Sequence, residues 1–94
     1  MPAYFFHTRI GEDYLEDPEG LDLRDLAAAH RTAIRIARTQ MAEEVMDGRL
    51  DLGSTVEVMD GGGETAFVLR FSEAIDIVRQ REPEYEVRRA AESS

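Results

Sequence analysis

Two stretches of the chain alternate apolar and polar residues with a period of two, which predicts β-strands. The first, Ala3 to Ile10, is rich in aromatic and β-branched residues, and a turn at Gly11 leads into a short return strand from Asp13 to Glu16. The second comprises Thr55 to Asp60 and Thr65 to Phe71, joined by a glycine-rich turn. Each stretch therefore predicts one β-hairpin.

Between the hairpins, apolar residues recur every three or four positions and predict a long helix from about Arg24 to Asp47. Asp22 and Asp25 are candidate N-caps, and Gly48 suits a left-handed residue just after the helix. The apolar stripe consists of Leu26, Ala29, Ala33, Ile34, Ala37, Met41 and Val45. Its three alanines, the alanine row (Ala29, Ala33 and Ala37), are small enough for a helix to lie close to a sheet.

The order of these elements predicts the fold class. Ser72 is a candidate cap for a short helix from Glu73 to about Arg81, which Pro83 ends. We therefore expect an α+β fold: two β-hairpins forming a small antiparallel sheet with one long helix packed across one face (β-β-α-β-β), plus a short C-terminal helix. Residues 1–81 form the single predicted domain, and residues 82–94 a charged, flexible C-terminal tail.

The composition narrows the functional classes. The 94 residues fit one domain, and the absence of cysteine excludes disulfides, thiolate metal sites and cysteine nucleophiles. Twenty acidic residues against eleven basic ones give a net charge of −9, which repels phosphates and makes nucleic acid an unlikely partner. No secretory signal and no apolar run near the roughly 20 residues of a membrane span are visible. We expect a cytoplasmic protein without membrane association.

Neither histidine comes with a sequence pattern typical of catalysis, which needs a nucleophile and an orienting partner. His30 lies beside the apolar stripe, where a half-buried structural histidine is the usual explanation. His7 lies in the middle of the first strand, and together with Tyr4 and Tyr14 it forms a candidate ligand pocket.

We expect no catalytic residues, no cofactor and no metal site. The acidic run from Glu12 to Glu19 lacks the ligand spacing of a calcium loop. Gly61 to Gly63 lie between two strands without a lysine, so they suit a hairpin turn better than a phosphate-binding loop. No serine occurs in a G-x-S-x-G context.

Four arginines form a candidate partner-binding surface, the arginine stripe. Arg24, Arg31, Arg35 and Arg38 are spaced by seven, four and three residues, which places them along one helix face opposite the alanine row. Guanidinium groups in a line can bind phosphates or a partner's carboxylates in a bidentate manner. The alternative is a solvated face neutralised by the protein's own acids, and the net charge favours this alternative.

The order and spacing of several short motifs resemble one family. The motifs are Tyr4-Phe5-Phe6-His7, Asp17, Glu19-Gly20 before Leu21, Asp25-Leu26 with Ala29 and Ala33, Gly48-Arg49-Leu50, and Phe71-Ser72-Glu73-Ala74. Over residues 2–78 the chain resembles a family of short proteins of rhizobium-like alphaproteobacteria classified as a domain of unknown function (family 6894). The resemblance implies the domain boundaries and carries no activity.

Four functional hypotheses follow. The first is a non-enzymatic protein-interaction or regulatory module, acting through a protein partner or through self-association as a homodimer. The second is an antitoxin-like partner of a small basic protein, because a hairpin followed by a helix on an acidic chain resembles the fold of HicB-type antitoxins. The third is a small-ligand-binding protein with a pocket at Tyr4, His7 and Tyr14. Nucleic-acid binding through the arginine stripe is the least favoured alternative.

Overall fold

A computed structural model describes residues 1–78 as one antiparallel sheet with a long helix across one face. This arrangement confirms the predicted α+β fold. The elements are β1 (Ala3–Ile10), β2 (Asp13–Leu15), β3 (Leu21–Asp22), α1 (Leu26–Met46), β4 (Thr55–Asp60), β5 (Thr65–Arg70) and a 3-10 turn (Phe71–Ala74).

The sheet has the strand order β2-β1-β4-β5, and all pairs are antiparallel. The short strand β3 pairs with the beginning of β1, so β2 and β3 share one edge of the longest strand. On the other side of β1 the register places Phe6 opposite Val58 and His7 opposite Glu57. The first hairpin thus joins the second through the β1–β4 pair, which lies at the centre of the sheet.

Each end of helix α1 is marked by a residue suited to that position. Asp25 is the N-cap, and its Oδ1 accepts a hydrogen bond from the Ala28 N–H at 2.9 Å. Gly48 lies just beyond the helix at φ +85, and its N–H donates to the Val45 carbonyl at 2.9 Å. A left-handed residue is easiest for glycine, so the predicted stop at Gly48 is confirmed.

The core lies between α1 and the β1–β4 pair. All three residues of the alanine row are fully buried, as are Val56 and Val58 on the facing strand. Phe71, also fully buried, closes this core at the end of β5. The predicted role of the alanine row as the contact between helix and sheet is confirmed.

The ends of the predicted apolar stripe are not buried. Leu26 is 50% exposed and Val45 is 56% exposed, whereas Glu44 is buried in their place. The 21-residue helix is about 31 Å long, but the six-residue strand β4 spans only about 20 Å. A helix longer than the sheet leaves its terminal apolar residues without a surface to cover.

The short C-terminal helix is a 3-10 turn at Phe71–Ala74, which lies earlier than the predicted range that began at Glu73. Glu73 Oε1 accepts the Arg70 N–H at 2.8 Å, so Ser72 does not cap the turn. The chain is extended again at Ile75 (φ −140, ψ 161), because burial of Phe71 fixes the turn directly after β5. Residues 75–78 of the predicted helix are not helical, and its last residues (79–81) and the predicted tail (82–94) lie outside the described residues. Within residues 1–78, no helix has both the length and the hydropathy required to cross a bilayer.

Candidate functional site

Helix α1 covers one face of the sheet, and we call the other face the open face. Tyr4 and Phe6 of β1 point into the core, so the alternating residues Phe5, His7 and Arg9 lie on the open face. The register of β4 places Met59 beside Phe5 and Glu57 beside His7. The centre of the open face is therefore a mixture of aromatic, thioether and charged side chains.

His7 is held at the centre of the open face by the loop between β2 and β3. Its side chain is only 9% exposed, and its Nδ1 accepts a hydrogen bond from the Asp17 N–H at 3.0 Å. In turn, Asp17 Oδ2 accepts the Phe6 N–H at 3.1 Å. The loop thus binds to β1 where neither β2 nor β3 pairs with it.

The Asp17 carboxylate also shapes its own loop. Its Oδ1 accepts the N–H groups of Glu19 and Gly20 at 3.2 and 3.1 Å. Partial burial acts to raise the pKa of Asp17, but the N–H groups of Phe6, Gly20 and Glu19 outweigh it and lower the pKa below its ordinary value. Gly20 adopts φ +70, and a Cβ there would lie 2.8 Å from the Phe5 ring. Only glycine therefore fits at the end of this loop.

Tyr14 completes a cluster around His7. Its ring centroid lies 5.8 Å from that of His7, and the Arg9 guanidinium lies 4.8 Å from its centroid, a cation–π distance. Desolvation raises the pKa of Tyr14, and the carboxylates of Glu57 and Glu16 raise it further. We call this group the histidine cluster. It consists of His7, Arg9, Tyr14, Asp17 and Glu57.

A cavity of about 260 Å³ adjoins the histidine cluster. It lies between the β2–β3 loop and the β4–β5 turn, and three carboxylates, from Glu16, Asp17 and Asp60, line it. Phe5 and Met59 supply apolar surface. The remaining lining residues are His7, Pro18, Gly61 and Gly63. No hydroxyl or thiol nucleophile is among them, so His7 has no group to activate there.

Only part of the predicted pocket is brought together. His7 and Tyr14 are in contact on the open face, but Tyr4 lies in the core on the other side of the sheet. Tyr4 and His7 are three positions apart in one strand, and an odd spacing places side chains on opposite faces. Asp17 and Glu57 belong to the cluster and were not predicted. The turn residues around Asp17 indicate a loop at this position and could have pointed to it. The position of Glu57 depends on the register between β1 and β4.

The arginine stripe is assembled in part. Arg31, Arg35 and Arg38 are exposed and line a shallow cavity of about 330 Å³ together with Ile34. Arg24 precedes the N-cap and does not belong to α1. Arg38 has a structural contact, because its Nε donates to the Ala74 carbonyl at 2.7 Å and ties the 3-10 turn to the helix.

Among residues 1–78, no group of three or more His, Cys, Asp or Glu side chains is placed to hold a metal ion. On the open face, the Asp17 carboxylate accepts hydrogen bonds from backbone N–H groups. Other acids are spread around the rim of the cavity beside His7.

The fold and this site define a small α+β domain with an acidic, partly aromatic open sheet face. A family model described as "Domain of unknown function (DUF6894)" matches residues 3–72, and the chain belongs to this family. Membership of this family, which the motifs predict, is thereby confirmed. Searches of curated proteins and of solved structures found no match.

Proposed function

We propose that this domain is a non-enzymatic protein-interaction module that binds a basic segment of a partner protein on its open face. The observation that carries the proposal is the cavity beside His7, where Glu16, Asp17 and Asp60 surround the apolar surface of Phe5 and Met59. Aromatic and methionine side chains are enriched at the centres of protein interfaces. Carboxylates at the rim select a partner by charge and accelerate its association.

The distribution of charge supports a basic partner. Residues 1–78 contain sixteen acids and seven arginines, whereas residues 79–94 contain four of each. The whole net charge of −9 therefore belongs to residues 1–78. A second copy placed against the same rim would bring carboxylates together, which costs free energy. The charge thus favours a basic partner over a homodimer on this face.

The rigidity of the histidine cluster also supports binding. Asp17 is fixed by three backbone N–H groups, and its own N–H fixes the His7 ring. Side chains that are ordered before binding lose less conformational entropy when a partner arrives. The absence of a nucleophile from the cavity lining agrees with a binding role rather than a catalytic one.

The antitoxin-like hypothesis is a special case of this proposal, in which the partner is a small basic toxin. The acidic rim favours it over the small-ligand hypothesis, because a rim of separate carboxylates matches an extended basic segment. A neighbouring gene for a small basic protein would support this special case, and a solitary gene would argue against it.

The test is native mass spectrometry of the tagged full-length protein purified from its own organism. We expect a basic protein bound at fixed stoichiometry. Glu16→Arg should weaken binding by about tenfold or more, since it reverses one rim charge. Glu43→Arg, an equal charge change at an exposed helix position, is the matched control and should retain the partner.

Circular dichroism and urea unfolding would verify that both variants fold, as expected for two exposed side chains. A partner retained equally by both variants would place the interface elsewhere. Recovery of no partner, or of an acidic one, would contradict the proposal.

A further inference from the structure

The outer side of β5 is a free edge of the sheet within residues 1–78, because the strand order leaves β5 without a neighbour there. At the opposite edge, β2 and β3 have only three and two residues, and the exposed acids Asp13 and Asp22 oppose pairing with another strand. Strand β5 has six residues, and those between Thr65 and Arg70 are all apolar. The sheet is therefore open to strand addition at β5.

Val68 presents its backbone groups at this edge. The Phe71 N–H donates to the Ser54 carbonyl at 2.8 Å, so the backbone groups of Phe71 and of every second residue before it point towards β4. The N–H and C=O of Val68 therefore point away from β4. The Arg70 N–H also points outward, but Glu73 Oε1 accepts it at 2.8 Å. An added strand pairs with β5 at Val68.

The free edge of β5 borders a groove against α1, which we call the edge groove. Its first part is a cavity of about 490 Å³ between the first turns of α1 and β5. The lining residues of this cavity are Leu26, Ala27, His30, Arg31 and Phe67. The shallow cavity beside Arg31, Ile34, Arg35 and Arg38 continues the groove, since Arg31 lines both cavities. The edge groove thus has an apolar end and a basic end.

The apolar end leaves hydrophobic surface in contact with water. Leu26 is 50% exposed, and Phe67 is only partly buried, with its ring centroid 5.5 Å from that of His30. Phe67 lies on the helix side of β5, because Val58, its partner in β4, is fully buried on that side. A residue of an added strand that lies beside Phe67 directs its side chain to the same side. An apolar side chain at that position fills the cavity.

The charges along the edge groove have one sign. From Leu26 to Ala42, helix α1 contains three arginines and no acid, although residues 1–78 contain sixteen acids against seven arginines. All three arginines line the basic end. The net charge of −9 repels an acidic partner at long range, but charges more than about 8 Å away are largely screened at physiological salt. The local potential of the groove therefore favours carboxylates.

We propose that the edge groove binds an extended acidic segment of a partner protein, which adds to the sheet at Val68. One apolar side chain of the segment fills the cavity beside Phe67, and carboxylates two and four positions away lie against Arg31 and Arg35. Alternate strand residues share a face at a spacing of about 7 Å, close to the rise of about 6 Å between helix residues four apart. Backbone pairing supplies affinity, and the side-chain positions supply specificity.

Fluorescence anisotropy of the full-length protein with the labelled peptide ETETFTETE tests this proposal. Its phenylalanine and four glutamates share one face in either chain direction, and threonine favours strands. We expect binding at one site. Replacing the phenylalanine by threonine should weaken binding about tenfold or more, because burial of the ring is lost.

Charge reversal tests the basic end. Arg31→Glu should weaken peptide binding about tenfold or more, since it opposes the segment's carboxylates. Arg49→Glu, the same change at an exposed residue outside the groove, should alter the affinity less than about twofold. Glu16→Arg, which tests the open face, should also leave it within about twofold, so the two proposals fail separately. Circular dichroism would verify that the variants fold.

Hydrogen exchange locates the bound peptide. Binding should slow exchange of the Val68 amide and shift the resonances of Ala27 and His30. Absence of binding, an unprotected Val68 amide, or equal weakening by Arg31→Glu and Arg49→Glu would overturn the proposal. Tighter binding of a single strand of nine thymidines would reassign the arginines to nucleic acid. A protein dimer that the peptide dissociates would reassign the groove to a second copy, and either result would also overturn the proposal.

Discussion

Asp17 connects more of the molecule than any other single side chain of the open face. Its carboxylate receives the N–H of β1 at Phe6 and the N–H groups of Glu19 and Gly20, and its own N–H orients His7. At Phe6, the Asp17 carboxylate accepts the N–H of β1, whereas β2 and β3 pair with β1 elsewhere along this edge. The loop, the edge of β1 and the histidine cluster therefore depend on one residue.

Replacing Asp17 by alanine should destabilise the domain by about 2–3 kcal/mol, since three N–H groups lose their acceptor. Urea unfolding at neutral pH measures this change. Asp13→Ala is the matched control. Asp13 is an exposed acid of β2 whose side chain forms no hydrogen bond among the described residues. Its replacement should therefore cost less than about 0.5 kcal/mol. Equal effects of both substitutions would argue against the role of Asp17.

The pH dependence of this difference has a defined sign. The pKa of Asp17 is lowered in the folded state, so its contribution to stability is complete above the ordinary aspartate value of 3.8. The contribution is lost as the pH falls through the lowered folded pKa. The stability difference between the wild type and Asp17→Ala should therefore be constant above about pH 5 and shrink in stronger acid. A difference that grows on acidification would contradict this.

The residues of the site were predictable only where the signal is local. His7 and Tyr14 stand out as an aromatic pair flanking a turn, and they do come together. The position of Glu57 opposite His7 is decided by the register between β1 and β4, which no short stretch of sequence contains. Tyr4 does not join the pocket, because the alternation of β1 places it on the core face, opposite His7.

At the scale of elements, the sequence predicts what periodicity and capping determine. The bounds of β1 and β4 were predicted correctly, because both alternate and end at turn residues. Strand β3 has only two residues and exists through its pairing with Ala3 and Tyr4. The turn at Phe71–Ala74 follows from burial of its first residue in the core. Elements created by tertiary contact carry no periodic signal of their own.

The N-cap of α1 gives a test at this scale, because the sequence offers two candidate aspartates. Asp25→Ala should cost about 1 kcal/mol, since the Ala28 N–H loses its acceptor. Asp22→Ala, an exposed substitution in β3, is the control and should change stability by less than about 0.5 kcal/mol. Urea unfolding of both variants distinguishes them, and a larger effect at Asp22 would mean that the helix begins earlier.

At the scale of the whole molecule, the two faces of the domain differ in chemistry. The open face and its loops carry the acids that surround the cavity beside His7, while three arginines lie on the outer side of α1. The composition predicts the net charge. It does not predict that the acids and the arginines lie on different faces, because this depends on how the helix lies across the sheet. The proposed basic partner therefore has one preferred side from which to approach.

The close approach of α1 to the sheet is the property on which the whole arrangement depends, and Ala33 tests it. This residue is fully buried in the middle of the alanine row, so a leucine there must push the helix away from the sheet or adopt a strained rotamer. We expect Ala33→Leu to lower the free energy of unfolding by about 2 kcal/mol. Ala42→Leu places the same side chain on the exposed side of α1, where helix propensity changes little, and should be nearly neutral. Thermal and urea unfolding of the two variants make the comparison. Equal stability would show that the helix does not lie close to the sheet.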